Sequence, residues 1–304
     1  MAEVVGHIPV LPRQVLELLA PRSGQVMLDC TIGRGGHAAL IAPLLGADGR
    51  YIGLDADPAN LAFAKERLRD LPCRRDFYHA NFAQAPQVLD DLGITKVDLL
   101  LADLGFASNQ MDDPARGFSF LADGPLDMRL DPTATPTAAE LVNSLSQEEL
   151  ANVIYRYGEE KLSRKIARII VEERARSPIL TTSALADLVR RAYGRQAHGQ
   201  RIDAATRTFM ALRIAVNGEL DALRRLLEDL PRLLAPDAVA AIISFHSLED
   251  RLVKHAFVKL VQEDRAVRLT KKPVLAEAEE IAGNPRSRSA KLRAIRMVLE
   301  ITVG

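Results

Sequence analysis

Short apolar runs alternate with helical periods through the first third of the chain, the pattern of a parallel sheet joined by crossover helices. Val26-Met27-Leu28-Asp29 predicts a first strand and Tyr51-Ile52-Gly53-Leu54-Asp55 a second. Asp57-Pro58 then supplies an N-cap and a proline at the first helical position. Leu61, Ala64, Lys65 and Leu68 follow at helical spacing, with the lysine expected at the edge of the buried face. A third strand is expected at 76–80 and a fourth at 97–102, ending on Asp103.

Periodicity stops there. Residues 103–136 hold turn signals (Asp112-Asp113-Pro114, Arg116-Gly117, Asp123-Gly124-Pro125) but no sustained period. A loop this long inside a domain is functional or disordered. Phe106, Phe118, Phe120, Leu121 and Met128 give it apolar anchors that disordered segments lack, so function is expected. Ser146-Gln147-Glu148-Glu149 is a capping box opening a helix with Leu150, Val153, Ile154 and Tyr157 on one face. Further periods run over 162–170 and 185–189, and a longer one over 204–230. The next strand is expected at 238–245, with later candidates at 265–270 and 292–301. A crossover needs only a dozen or more residues. Residues 111–216 are therefore expected to be an inserted, mostly helical module, and 1–110 with 217–304 the α/β core.

Composition changes this picture little. The chain of 304 residues is 48% hydrophobic and 26% charged, with two cysteines, Cys30 and Cys73, too few for a disulfide framework or a zinc cluster. Residues 1–12 have no basic start or apolar centre, and no apolar run is long enough for a membrane span, so a cytoplasmic protein without membrane contact is expected. Forty basic residues balance 40 acidic ones, yet the charge is segregated. Arg190, Arg191, Arg195, Arg201, Arg207 and Arg213 stand against one acid, Asp203; Arg286, Arg288, Lys291, Arg293 and Arg296 stand against none. Such stretches suit phosphate docking, or are simply solvated helix faces and termini.

The candidate chemistry lies at strand ends. Asp29-Cys30-Thr31-Ile32-Gly33-Arg34-Gly35-Gly36-His37 joins the first strand to a helix, and its glycines allow close approach to a ligand. The pattern also satisfies a dinucleotide fingerprint, so a nicotinamide oxidoreductase is a rival, and a ligand-free glycine turn is the structural alternative. Asp55 can accept both hydroxyls of an adenosine ribose, which either cofactor contains. Asp103 ends the fourth strand, where an open sheet binds its ligand. An exocyclic base amine is a poor nucleophile, and an acceptor on its N–H addresses that difficulty. Ser247-x-x-Asp250 predicts a capping box for the helix after the fifth strand, and Ser244 and His246 are candidates to face the pocket. No nucleophile elbow is present, which argues against a hydrolase. Asp112, Asp113, Asp123, Asp127 and Asp131 could hold a metal, but turn chemistry explains them better, and no metal is expected.

Taken together, the motifs resemble the bacterial 16S ribosomal RNA cytosine-N4-methyltransferase family along nearly the whole chain. The resemblance is carried by His7-Ile8-Pro9-Val10-Leu11, Gly33-Arg34-Gly35-Gly36-His37, Leu54-Asp55-Ala56-Asp57-Pro58 and Ala102-Asp103-Leu104-Gly105. It continues in Asp112-Asp113-Pro114-Ala115-Arg116-Gly117-Phe118-Ser119-Phe120, Asp123-Gly124-Pro125-Leu126-Asp127-Met128-Arg129 and Ala205-Thr206-Arg207-Thr208-Phe209. Ser244-Phe245-His246-Ser247-Leu248-Glu249-Asp250-Arg251 and Asn284-Pro285-Arg286-Ser287-Arg288-Ser289 complete it. The order of the acidic loop pair and the His246 segment is specific.

That resemblance implies a class I methyltransferase fold, a Rossmann-like doubly wound sheet with an inserted helical domain that recognises substrate. It implies S-adenosyl-L-methionine as cofactor, with contacts at Gly35, Gly36, His37, Asp55, Phe82, Asp103 and Gln110. Phe82 would lie against the adenine, the 33–37 loop would take the methionyl part, and Asp103, the candidate catalytic residue, would sit beside the methyl group. The implied partner is 16S ribosomal RNA within the small ribosomal subunit, methylated on the exocyclic nitrogen of a decoding-centre cytidine; a homodimer is compatible with it. The acidic loop would hold a cytidine taken out of its stack, and the arginine-rich stretches the phosphates. Ala107 and Asn109 depart from the family's Ser and Pro, Asp203-Ala204 from His-Pro, and Asp237-Ala238 from Gly-Gly. A nucleotide-binding RNA assembly factor without chemistry is the rival from another class.

Overall fold

A computed structural model describes residues 8–194 and 203–298. In chain order come α1 (Pro12–Leu19), β1 (Val26–Asp29), α2 (Gly36–Ile41), β2 (Arg50–Asp55), α3 (Pro58–Arg67), β3 (Arg74–His79), α4 (Ala85–Asp91) and β4 (Val97–Asp103). Next are α5 (Ser108–Asp112), α6 (Ala138–Ser144), α7 (Gln147–Gly158), α8 (Ser163–Arg174), α9 (Thr182–Tyr193) and α10 (Thr206–Asn217). The chain continues through α11 (Glu219–Leu233), β5 (Leu234–Ser244), α12 (Ser247–Gln262), β6 (Ala266–Arg268), α13 (Ala278–Gly283) and β7 (Lys291–Met297). Two compact units result: one runs to Gly105 and resumes at Leu220, the other is Phe106–Glu219.

The first unit is a doubly wound seven-stranded sheet of order β3-β2-β1-β4-β5-β7-β6. β1 to β5 are parallel, and β7 runs antiparallel to both β5 and β6. Alternate side chains along the central strands enter two separate cores, which explains their unbroken apolar runs. Leu28, Ile52, Leu100 and Ile242 pack with α4, α11 and α12. Met27, Tyr51, Leu101 and Ile243 pack with α1, α2 and α3. Asp57 caps α3 as its pattern predicts, accepting from the Ala59 N–H at 2.9 Å, while Lys65 is exposed. The strand order reverses between β1 and β4, so the switch-point crevice opens at Asp29 and Asp103.

Two expectations at the resumed sheet need correction. β5 starts at Leu234 rather than 238, with a register shift against β4 between Val97 and Leu99. Asp237, where the resembled family has glycine, adopts φ +66°, a conformation that aspartate tolerates better than most residues. The capping box of α12 lies one residue earlier than expected. Nδ1 of His246 accepts from the Glu249 N–H, and the Glu249 carboxylate accepts from the His246 N–H. Asp250 is thereby released to pair with the Arg293 guanidinium of β7 at 2.7 and 3.2 Å.

The second unit is helical, with a core that includes Leu150, Ile154, Ile166, Leu185, Phe209 and Leu212. The period over 204–230 is two helices, not one: Gly218 at φ +57° caps α10 and breaks the continuation. Of the apolar anchors in the long loop, Phe118 and Met128 are buried and Phe106 stacks on Phe118 at 5.2 Å, but Leu121 is 93% exposed. The loop's acids serve turns and partners. Asp113 accepts from the Ala115 N–H, Asp131 from Thr133, Asp123 from the Ser183 N–H, and Asp127 binds Arg129 at 2.6 Å.

Gly117 has φ +69°, and a Cβ there would lie 2.3 Å from the Pro125 carbonyl oxygen. Neither strain nor collision can relax without moving backbone. Gly117→Ala is therefore expected to destabilise the second unit by about 2 kcal/mol or more, read as a lower thermal midpoint with earlier proteolysis of the loop. An unchanged melting curve would contradict the tight turn.

Candidate functional site

The carboxyl ends of β1, β2 and β4 bring Asp29, the glycine loop, Asp55 and Asp103 to one edge of the sheet. The loop is tied at three points. Gly33 at φ +52° donates its N–H to Asp55 Oδ2 at 2.8 Å, Gly35 at φ +77° donates to the Ile32 carbonyl, and Ile32 donates to the Leu54 carbonyl. A Cβ on Gly35 would also press on Leu68 at 3.0 Å. The second Asp55 oxygen accepts the Asp57 N–H at 2.8 Å. The carboxylate thus anchors two loops and still has lone pairs for further donors. Burial pushes the Asp55 carboxyl up to about 6, against the lowering effect of the Asp57 and Gly33 N–H groups.

Asp103 is held through its backbone. Its N–H donates to Thr31 Oγ1 at 2.7 Å, and its Oδ2 stands 3.6 Å from Nε2 of the buried His37. Asp103 Oδ1 and His37 Nε2 are buried without a hydrogen-bond partner. Buried polar atoms left unpaired are costly, and where they cluster at a crevice they mark the place of a ligand. Phe82 opens a short 3-10 turn after β3 and packs half-buried on the sheet, its turn fixed by Asn81 accepting from the Ala83 N–H at 2.9 Å. Gln110 belongs to the second unit, where its Oε1 accepts the Ala107 N–H at 2.7 Å.

Asp29, Tyr51 and Thr31 were not singled out by the motifs. The buried Tyr51 hydroxyl donates to Asp29 Oδ2 at 2.6 Å, and the Thr31 N–H donates to Asp29 Oδ1 at 3.0 Å. This chain of bonds fixes Thr31, and through Thr31 the backbone of Asp103. Burial raises the Asp29 carboxyl to about 6, against the lowering effects of Tyr51, Thr31 and His37. Of the other sequence candidates, Ser244 is buried, with Oγ 3.4 Å from the Lys291 carbonyl, and His246 Nε2 lies 3.1 Å from Glu249 Oε1.

The basic stretches are mostly committed. Arg190 pairs with Asp187 and Asp203, Arg191 with Glu173, and Arg213 with Glu219 at 2.8 Å. Arg293 and Lys291 share Asp250, and Arg296 faces Asp237 at 3.6 Å. For these residues the expectation of free phosphate ligands is corrected. Arg207 and Arg288 are exposed without an ion pair among the described residues; Arg195 and Arg201, like His7, lie outside them.

A family model described as the MraW methylase family matches residues 4–298. The chain belongs to that family. The sheet is accordingly that of a class I methyltransferase, and the cofactor is S-adenosyl-L-methionine rather than a nicotinamide nucleotide. Among relatives of this methylase, one from Sorangium cellulosum named ribosomal RNA small subunit methyltransferase H is 52% identical over 292 residues, covering 96% of this chain and 91% of the relative. A relative of the same name from Synechococcus elongatus is 49% identical, covering 96% and 95%. Another, from Geobacter sulfurreducens, is 47% identical, covering 95% and 98%.

Proposed function

We propose that this methylase transfers the methyl group of S-adenosyl-L-methionine to the exocyclic N4 of a decoding-centre cytidine in small-subunit (16S) ribosomal RNA. The observation that carries the chemistry is Asp103: a strand-end carboxylate at the switch point, its backbone fixed by Thr31, with Oδ2 3.6 Å from His37 and Oδ1 buried and unpaired. The relatives' name supports the RNA substrate. The donor set fits the cofactor. Asp55 has lone pairs for ribose hydroxyls, Phe82 offers an apolar face for a base, and the loop at Gly35, Gly36 and His37 is shaped for close approach. When bound, S-adenosyl-L-methionine supplies an electrophilic methyl on a sulfonium.

The residues then divide the work. Asp103 accepts an N–H of the cytosine amine, which favours the geometry in which the nitrogen lone pair leaves conjugation with the ring, and it takes up the proton lost on alkylation. Recognition of a cytidine taken out of its stack falls to the inserted module and its acidic loop. Arg207 is the phosphate ligand that the described part of the first basic stretch leaves unpaired.

Methyl-labelled S-adenosyl-L-methionine incubated with the protein and unmethylated small ribosomal subunits tests this assignment. Label is expected in the ribosomal RNA and to depend on that cofactor. Tight NAD binding with no labelled RNA would support the nicotinamide reading of the glycine loop instead.

A further inference from the structure

Arg34 lies inside the glycine loop, yet no role in the loop's own structure accounts for its side chain. Its guanidinium carbon sits 3.6 Å above the centroid of the Phe63 ring, on α3. Arg67, one turn further along α3, donates from its guanidinium to the Arg34 carbonyl at 3.2 Å. Neither arginine has an ion pair among the described residues, whereas Arg50, Arg69, Arg129, Arg190, Arg213 and Arg293 all do. Two cations are thus drawn to one loop with a ring face and a backbone carbonyl as partners but no counter-charge to neutralise them.

The arrangement has the features of a prepared anion site. Stacking on Phe63 fixes the plane of the Arg34 guanidinium, so its N–H fork is oriented before any ligand arrives. The Arg67 bond ties a second guanidinium to the backbone of Arg34. Planar forks of this kind match phosphate oxygens in a bidentate manner. Both residues lie beside the loop that borders the candidate methyl-transfer site, where a strand delivering one unstacked nucleotide must pass with its phosphates.

We propose that Arg34, preset by Phe63, and Arg67 form a docking point for backbone phosphates of the RNA strand that carries the target base. This rests on the RNA-methyltransferase reading above and adds residues on the cofactor-binding unit to RNA recognition. The carboxylate of the cofactor's methionyl part is the competing anion, and the two sources separate experimentally.

The test compares the parent with the Arg34→Gln/Arg67→Gln double variant, using refolded small-subunit ribosomal RNA transcribed in vitro as the RNA probe and S-adenosylhomocysteine as the cofactor probe. RNA affinity of the variant is expected to fall roughly tenfold or more at moderate salt, with the slope of log affinity against log salt shallower by about 1 to 2. Arg67→Gln alone, which changes no residue of the 33–37 loop, should leave S-adenosylhomocysteine affinity within about threefold of the parent while weakening RNA binding. Arg34→Lys keeps the charge but not the planar stack, so it should preserve most of the salt slope while weakening RNA binding several-fold. An unchanged slope in the double variant, or a loss of S-adenosylhomocysteine binding in Arg67→Gln as large as its loss of RNA binding, overturns the proposal. Absence of any methylated cytidine from the parent refutes the functional reading itself. A parent that methylates, with a variant matching its RNA dependence, refutes only the docking point.

Discussion

Asp103→Asn is expected to lower single-turnover methylation by about tenfold to a thousandfold at saturating cofactor. The substitution keeps the side-chain shape and one acceptor oxygen but removes the charge. The backbone bond from the Asp103 N–H to Thr31 Oγ1 is untouched, so the loop should keep its place. An acceptor on the amine matters most as the nitrogen leaves conjugation, so its loss should fall on turnover more than on binding. If Asp103 only anchored the cofactor, saturating S-adenosyl-L-methionine would restore the parental rate. Full rescue would therefore remove Asp103 from the chemistry and leave it as a binding residue.

Asp55→Ala is expected to weaken cofactor binding about a hundredfold or more, corresponding to roughly 3 kcal/mol for two charge-assisted bonds. The position of the carboxylate raises the stakes beyond the ribose. It accepts the N–H groups of Gly33 and Asp57, so its removal also loosens the glycine loop and the start of α3. Calorimetry with S-adenosylhomocysteine measures the binding, and parental affinity in this variant would refute the ribose assignment.

The same carboxylate gives a pH dependence with two opposite signs. Asp55 and Asp29 are each held at about 6 against an ordinary value of 3.8. Between those values the native protein binds more protons than the unfolded chain, so these groups contribute stability to the free protein that is lost as pH rises through the window. Cofactor binding should run the other way. Below about pH 6 a protonated Asp55 becomes a poorer acceptor for hydroxyl donors, and affinity should fall. Melting and calorimetry across pH 4 to 7, the window those shifts define, would show the opposed trends. Parallel trends would mean that Asp55 is not the residue that titrates against the cofactor.

Much of this is legible in the amino-acid sequence. β1, β2 and β4 are buried on both faces, and a strand covered on both sides must be apolar without interruption. Asp55 and Asp103 stood out because each ends such a run. β3 was harder to delimit, because Arg74-Arg75-Asp76-Phe77-Tyr78-His79 is an edge strand with mixed faces. The break at Gly218 was hidden because Leu212, Val216, Leu220 and Leu223 keep a helical spacing across it. The α12 cap was misplaced by one residue because serine is the customary cap, whereas here an imidazole nitrogen accepts the N–H. Arg190, Arg191 and Arg213 read as free cations because three of their counter-charges, Glu173, Asp187 and Glu219, lie outside the arginine-rich run. Asp29 carries no signal in the sequence because its importance lies in a bond to Tyr51 on the neighbouring strand, which no local pattern records.

The central claim is most directly tested by identifying the methylated nucleoside. Small ribosomal subunits lacking the modification would be treated with the protein and S-adenosyl-L-methionine, the RNA digested to nucleosides, and the products resolved by chromatography and mass spectrometry. The account predicts a new N4-methylcytidine, at one position mapped to the decoding centre, reduced by about tenfold or more when Asp103→Asn replaces the parent under the same brief incubation. A methyl group found on the cytosine ring carbon, on a ribose hydroxyl or on another base would contradict it.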